Sequence, residues 1–219
     1  MRVDLHCHTK YSYDGSSELE DIIEEARKKG MDAIAVTDHD NTKVWEEAKE
    51  SNFPVILGEE IKTSKGDVIG LFLKEEIKGR KKDPRWVMEE IKKQDGVVVV
   101  PHPFHDVERF RDDLENYLDL IDAIEVFNGR RPFSSPDGKA YDFAQKHNLA
   151  MTGGTDAHHF RPIGDVYTEC QGKTIEEFKQ ALLDRKTRAK GKKSKIIYAL
   201  CPMVEKIKRF LFKKTNYVL

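Results

Sequence analysis

An α/β barrel, with parallel strands at its centre and helices packed around them, is the fold this 219-residue sequence predicts. Three observations carry that expectation. Short apolar runs alternate with amphipathic stretches of helical period along almost the whole chain. The runs are nearly continuous in Val, Ile, Leu and Ala, as in strands buried on both faces. Polar residues able to bind metals or move protons recur where those runs stop, and in barrels the active groups gather at the C-terminal strand ends.

Each element follows from local chemistry. Val3 and Leu5 alternate with polar neighbours in a short strand that runs into His6 and His8. Residues two apart on a strand share a face, so both imidazoles aim at one spot and Cys7 points the other way. Asp14 follows on the loop. Ser17-Glu-Leu-Glu20 has the pattern of a capping box ahead of a helix with Leu19, Ile22, Ile23 and Ala26 on one side, and Gly30 is placed to end it. Residues 32–37 predict a buried strand that stops at Asp38-His39-Asp40. A short helix over 42–51 leads to a strand over 53–57 ending at Gly58-Glu59-Glu60, and 66–73 predict another strand. Asp83 and Pro84 have the types expected at a helix N-cap and first turn. The β-branched run 97–100 is a buried strand ending at Pro101-His102-Pro103. A helix over 107–117 precedes a strand over 121–127 that ends at Asn128. A helix over 135–147, a strand over 149–152 and the segment Gly153-Gly-Thr-Asp156-Ala-His158-His159 follow. Residues 165–169 predict one more strand, and Thr174-Ile-Glu-Glu177 is a second capping box. A strand or loop over 186–195 closes the first domain, 1–195. Residues 196–219 are expected to form a basic amphipathic helix packed on the barrel.

Of eight histidines, five (His6, His8, His39, His102 and His158) fall at strand ends beside Glu60, Asn128 and Asp156. A lone His-x-His pair reads as surface histidines; this recurrence does not. Imidazole and carboxylate suit zinc, iron and manganese, and the set is rich enough for two or three adjacent divalent ions. A structural zinc site would be smaller and cysteine-rich. The cysteines, Cys7, Cys170 and Cys201, are odd in number and far apart, which argues against a disulfide framework and fits a cytoplasmic protein. The net charge of −1 gives no overall bias toward polyanions, and no apolar run approaches the ~20 residues of a membrane span. The N-terminus reads as a strand, not a signal peptide.

The segments Asp4-Leu-His6-Cys-His8-Thr, Thr37-Asp38-His39-Asp40, Gly58-Glu-Glu60, Pro101-His102-Pro103 and Gly154-Thr-Asp156-Ala-His158 resemble, in order, the motifs of the PHP (polymerase and histidinol phosphatase) family. The resemblance spans about residues 1 to 190. It implies a distorted seven-stranded, TIM-like β/α barrel and a metal-dependent phosphoesterase, in which a metal-bound hydroxide attacks phosphorus. It also implies a grouping: His6, His8, Glu60 and Asp156 on one ion, Glu60 and His102 on a second, and Asp14, His39 and His158 on a third. Relatives that bind three metals often carry histidine where this chain has Asn128. Simple alternation turns Glu125 toward the side of Phe127, away from Asn128. Only 41 residues separate Glu60 from His102, too few for the helical insert of some nucleotide- and RNA-degrading relatives, so the site is expected to be open.

A phosphorylated small molecule or nucleotide needs cations beyond the metals. Arg130, Arg131, Arg161 and Lys10 stand near the expected mouth, where arginine can grip phosphate with a fork of donors. His105 and His159 are placed to serve as general acid, and Tyr11, Tyr13 and Phe104 to line the rim. From 186 to 214 the chain has eleven Lys or Arg and one acid, Glu205. Within that stretch, Met203, Val204, Ile207, Phe210 and Leu211 form an apolar stripe. Three readings stay open for the tail: a packed helix with a solvated basic face, a handle for nucleic acid, or a membrane-surface or partner helix. The function class is thus a phosphoesterase acting on phosphomonoesters or on nucleotide or oligonucleotide phosphates. The competing class is a non-catalytic nucleic-acid-binding subunit on the same barrel.

Overall fold

A computed structural model describes residues 1–105, 109–131 and 135–215, with side chains to Leu211. The order is β1 (Arg2–Cys7), α1 (Leu19–Lys28), β2 (Ala33–Val36), α2 (Trp45–Lys49), β3 (Val55–Lys62), β4 (Asp67–Leu71), α3 (Pro84–Lys93), β5 (Val97–Val100), β6 (Ala123–Asn128), α4 (Ser135–Lys146), β7 (Ala150–Gly154), β8 (Val166–Glu169), α5 (Ile175–Leu183), β9 (Arg188–Gly191) and α6 (Cys201–Thr215).

The strands form one sheet in the order β7-β6-β5-β4-β3-β2-β1-β8-β9. The chain just past β7 returns to β1 through a parallel bridge between Cys7 and Ala157 and a 2.7 Å bond from Asp156 N to His6 O. Gly153 and Thr168 join β7 to β8. The sheet is therefore a nearly closed barrel. Nine strands stand where the resemblance implied seven, because β8 and β9 extend the sheet beyond β1. The expectation of parallel strands holds for β1–β2–β3 and β5–β6–β7. It fails at β4, which runs antiparallel to both neighbours, and at β8 and β9, since β8 runs antiparallel to both β1 and β9. Only 63–66 separate β3 from β4, far fewer residues than a parallel crossover needs.

Strand parity sorts the core. Ile34, Val36, Val98, Val100 and Ile124 pack outward with apolar residues of α1, α2 and α3. The alternate residues Ala33, Ala35, Val97, Val99 and Ala123 gather inside with Phe178 and Leu182 of α5. The inner set is mostly Ala and Val, as a narrow interior requires.

Local signals held unevenly. Asp83 accepts from Arg85 N at the start of α3, and Thr174 accepts from Glu177 N at the start of α5. Gly30 follows α1 in the left-handed region, φ 70°. The first capping box does not form: Glu18 occupies the cap position of α1 without a side-chain bond, and Ser17 Oγ accepts from Phe160 N instead. The helix expected over 107–117 falls partly on 106–108, outside the described residues. Over 109–117 only the short turn Leu114–Tyr117 is helical. The last helix exposes its stripe. Glu205 and Arg209 are the half-buried side of α6, whereas Met203, Val204 and Ile207 are 54%, 44% and 52% exposed. Arg209 donates to Lys10 O and Gly15 O, and Lys206 lies 3.1 Å from Asp14, so polar contacts tie this helix to the 10–15 loop.

Candidate metal centre

Two β-bulges aim the site. In β1 the register shifts between Asp4 and Cys7, so Val3 and Leu5 join the inner cluster while Cys7 joins the outer one. His6 and His8 thereby face inward with their neighbours' carboxylates. In β6 the register shifts between Glu125 and Phe127. Bulges re-aim side chains in this way next to functional sites. The shift corrects the expectation for Glu125. It shares the site with Asn128, with Oε1 2.9 Å from His6 Nδ1 and Oε2 accepting from His102 N and Asn128 Nδ2, each at 2.9 Å.

Glu60 is the hub. Its carboxylate lies 3.3 Å from His6 Nε2, 3.3 Å from His8 Nε2, 3.1 Å from His39 Nδ1 and 3.2 Å from His102 Nε2. Asp156 Oδ1 is 3.7 Å from His6 Nε2 and 3.6 Å from His8 Nε2. Asp14 Oδ1 is 3.3 Å from His158 Nε2 and 3.7 Å from His39 Nε2. His102 and Asp156 are held at positive φ, 32° and 52°, a region costly for residues other than glycine.

Three overlapping triads have ligand atoms within 4.8 Å of one another: His8–His39–His158, His6–Glu60–His102 and His6–His8–Asp156. They overlap the grouping implied by the resemblance without reproducing it: His6 also joins Glu60 and His102, His8 joins His39 and His158, and Asp14 is in none of the three. Among the described residues, buried His8 Nε2, His158 Nε2, His102 Nδ1 and Asp14 Oδ1 have no partner in hydrogen-bond geometry. Such orphaned atoms are costly. Converging lone pairs on imidazole and carboxylate are what a divalent cation takes, so the donor set fits two or three such ions. Asn128 is spent differently. Its amide nitrogen donates to Glu125 and Asp156 and its oxygen accepts from Arg131 N, which makes it a brace between carboxylates.

Protons partly stand in for cations here. Burial disfavours charge on His6, but Asp156, Glu125 and Glu60 outweigh it and raise its pKa well above the ordinary range. His8 is raised to about 9 by Asp156 and Glu60 against the same burial. His39 and His158 are lowered by burial to about 3 and about 4. Burial would raise Glu60, yet His39 and His6 hold it well below the carboxylate range. Arg130 and His6 do the same for Asp156.

The remaining sequence candidates divide. Arg130 is at the centre, its guanidinium 2.9 Å from Asp156 Oδ2. His105 is buried and pairs at 3.1 Å with Asp137, whose carboxylate also faces Asn128 N. Lys10 is drawn to Glu18 at 2.5 Å on the surface. Arg161 lies over the Phe160 ring, and His159 stacks on Phe160 and Tyr198. Arg131 is half-buried. Sequence reasoning missed Lys206, whose ammonium reaches Asp14 from α6, and Lys193, which bonds Asn128 O and Asp137. Neither has a motif; only the return of the tail over the mouth brings them in.

A family model described as PHP domain matches residues 4–196. An uncharacterized protein of Methanocaldococcus jannaschii is 34% identical over 185 residues, covering 81% of this chain and 73% of that protein. Among solved structures, a two-domain Bacteroides vulgatus protein containing a predicted PHP-like metal-dependent phosphoesterase superposes with a TM-score of 0.71 at 21% identity. The match covers 88% of this chain and 65% of that one. The lesion-specific endonuclease Q of Pyrococcus furiosus gives a TM-score of 0.66 at 19% identity, covering 84% and 56%. No helix among the described residues is long and apolar enough to cross a membrane.

Proposed function

This chain belongs to the PHP domain family, and from that premise we propose that it hydrolyses phosphate esters, either phosphomonoesters or nucleotide and oligonucleotide phosphates, with two to three divalent ions of manganese, zinc or iron. One observation carries the reading: four imidazole nitrogens lie within 3.3 Å of the single carboxylate of Glu60. When bound, the ions supply Lewis acidity and an activated water. His6, His8, His39, His102, His158, Asp14, Glu60 and Asp156 would hold them. Glu125 takes the Nδ1 proton of His6 and so directs its Nε2 into the centre. Asn128 keeps Glu125 and Asp156 apart and aligned. Arg130, already charged beside Asp156, is placed to neutralise a phosphoryl oxygen that enters next to it. Endonuclease Q, a structural relative, has been seen with duplex DNA carrying an abasic lesion at its active site, which supports keeping nucleic acid among the substrates.

The test pairs metal content, by plasma mass spectrometry, with turnover of an aryl phosphate. Two to three bound equivalents, activity lost to chelator and restored by Mn²⁺, and a far larger loss in His8→Ala than in Arg161→Ala are expected. Full activity in His8→Ala overturns the proposal.

A further inference from the structure

The mouth side of the sheet carries a second concavity. A cavity of ≈ 390 Å³ opens between the β3–β4 hairpin, the loop before α3 and the segment around 109–111. Lys62, Lys65, Lys81, Arg109 and Arg111 line it, with Asp67 as the one acid. Among the described residues, no ion pair or hydrogen bond takes up the charged group of any of these five side chains. Their neighbours behave differently: Arg80 pairs with Asp40, Arg85 with Asp119 and Lys92 with Asp122. Five cations lining one cavity against the single acid Asp67 repel one another on balance, and an anion in the cavity offsets that repulsion.

The frame is fixed rather than floppy. Arg111 N donates to Lys65 O at 2.5 Å, Lys81 N to Lys62 O at 2.6 Å and Ser64 N to Lys82 O at 2.8 Å. Gly66 sits at φ 144°, and a Cβ there would lie 2.9 Å from Phe110 Cα, so glycine lets the hairpin and the 109–111 segment touch. The cavity also adjoins the metal centre. Lys62 follows Glu60 by two residues on β3, hence on the same face and one step of about 6–7 Å further along. Its backbone N donates to Asp40, the neighbour of His39.

We propose that this cavity is a subsite for a second phosphate group of the substrate, so that the chain acts on a molecule with at least two phosphates rather than on a lone monoester. This rests on the phosphoesterase reading of the adjacent centre. The second phosphate has two sources: the backbone of an oligonucleotide, or the far phosphate of a bisphosphorylated small molecule.

The experiment uses the full chain and the double variant Lys65→Glu/Arg111→Glu, both positions being exposed. Anisotropy of a labelled single-stranded oligonucleotide, read with chelator present, reports binding without chemistry. A nucleoside 3′,5′-bisphosphate and a nucleoside monophosphate serve as competitors. Expected is oligonucleotide binding that the double variant weakens at least tenfold, with the slope of log K against log salt reduced by about 0.7 for each lost contact. Displacement by the bisphosphate but not the monophosphate identifies the small-molecule source, and displacement by neither identifies the backbone. Equal binding by variant and wild type, or equal displacement by both competitors, overturns the subsite. Aryl phosphate turnover in the variant should match wild type. Absence of turnover in wild type under every metal would sink the phosphoesterase reading alone, because pocket-dependent binding is measured independently.

Discussion

Glu125→Gln tests how the centre is tuned. Oε2 of Glu125 accepts two hydrogen bonds, from His102 N and Asn128 Nδ2, both at 2.9 Å. In glutamine only the amide oxygen can replace it there, which turns the NH₂ toward His6 Nδ1, 2.9 Å from Oε1 in the native protein. Nδ1 must then accept, and the ring proton moves to Nε2, the nitrogen that faces Glu60. A ligand becomes a donor with almost no change of volume. Loss of such an outer carboxylate costs about 10–100-fold in metal affinity, or roughly 1.4–2.7 kcal/mol. Calorimetric titration with Mn²⁺ or Zn²⁺ measures it, and ¹⁵N shifts of His6 report the tautomer directly. Wild-type affinity in Glu125→Gln, or an unchanged His6 tautomer, would refute the reasoning.

Gly154→Ala places a Cβ 2.4 Å from His6 Cβ and 2.8 Å from His6 N. Forcing β7 from β1 should lower stability by about 1–3 kcal/mol and weaken metal binding, as thermal melts with and without metal will show. Asp4 carries a pH signature. Burial pushes its carboxyl up to about 6 despite bonds from Thr155 and Gly164, so the folded state holds the proton more tightly than the unfolded chain. Its stabilising contribution is therefore full below pH ~4 and lost as pH rises through about 6, on the order of 3 kcal/mol in all. Unfolding free energies from urea titrations between pH 4 and 7 should fall by that margin relative to Asp4→Asn, and parallel curves would contradict the assignment. Arg209→Ala removes two of the three polar contacts described between α6 and the 10–15 loop, leaving Lys206 on Asp14. Limited proteolysis should cut the C-terminal segment faster while the melting midpoint of the barrel stays within ~0.5 kcal/mol of wild type.

What could be read in advance follows physical lines. His6 and His8 were legible because strand alternation is a local rule, and their recurrence with His39, His102 and His158 needed only counting. Glu125 was misplaced because a bulge is a one-residue phase change with no composition of its own. Ser17 has the right type for a cap, but Phe160, far along the chain, competes for it. The direction of β4 depends on the length of one turn, which a strand propensity does not weigh. The stripe on α6 was visible, but which side docks is decided by carbonyls at Lys10 and Gly15 that only folding brings near. Lys81 of the second cavity lies in the basic run Lys78-Gly-Arg80-Lys81-Lys82, but Lys62, Lys65, Arg109 and Arg111 are scattered to either side of it and only folding gathers them.

The return of the chain past β7 to β1 has a consequence for synthesis. Arg2 pairs with Glu169, and His6 O receives Asp156 N, so β1 must wait, on one side, for partners that follow far along the chain. A nascent chain exposes His6 and His8 long before Asp156 and His158 have left the ribosome. Contacts this distant in sequence slow folding and lengthen the life of open intermediates. The candidate metal ligands are therefore expected to come together only once β7 has docked on β1, and an ion that arrives earlier would meet an isolated His-x-His pair rather than a cage.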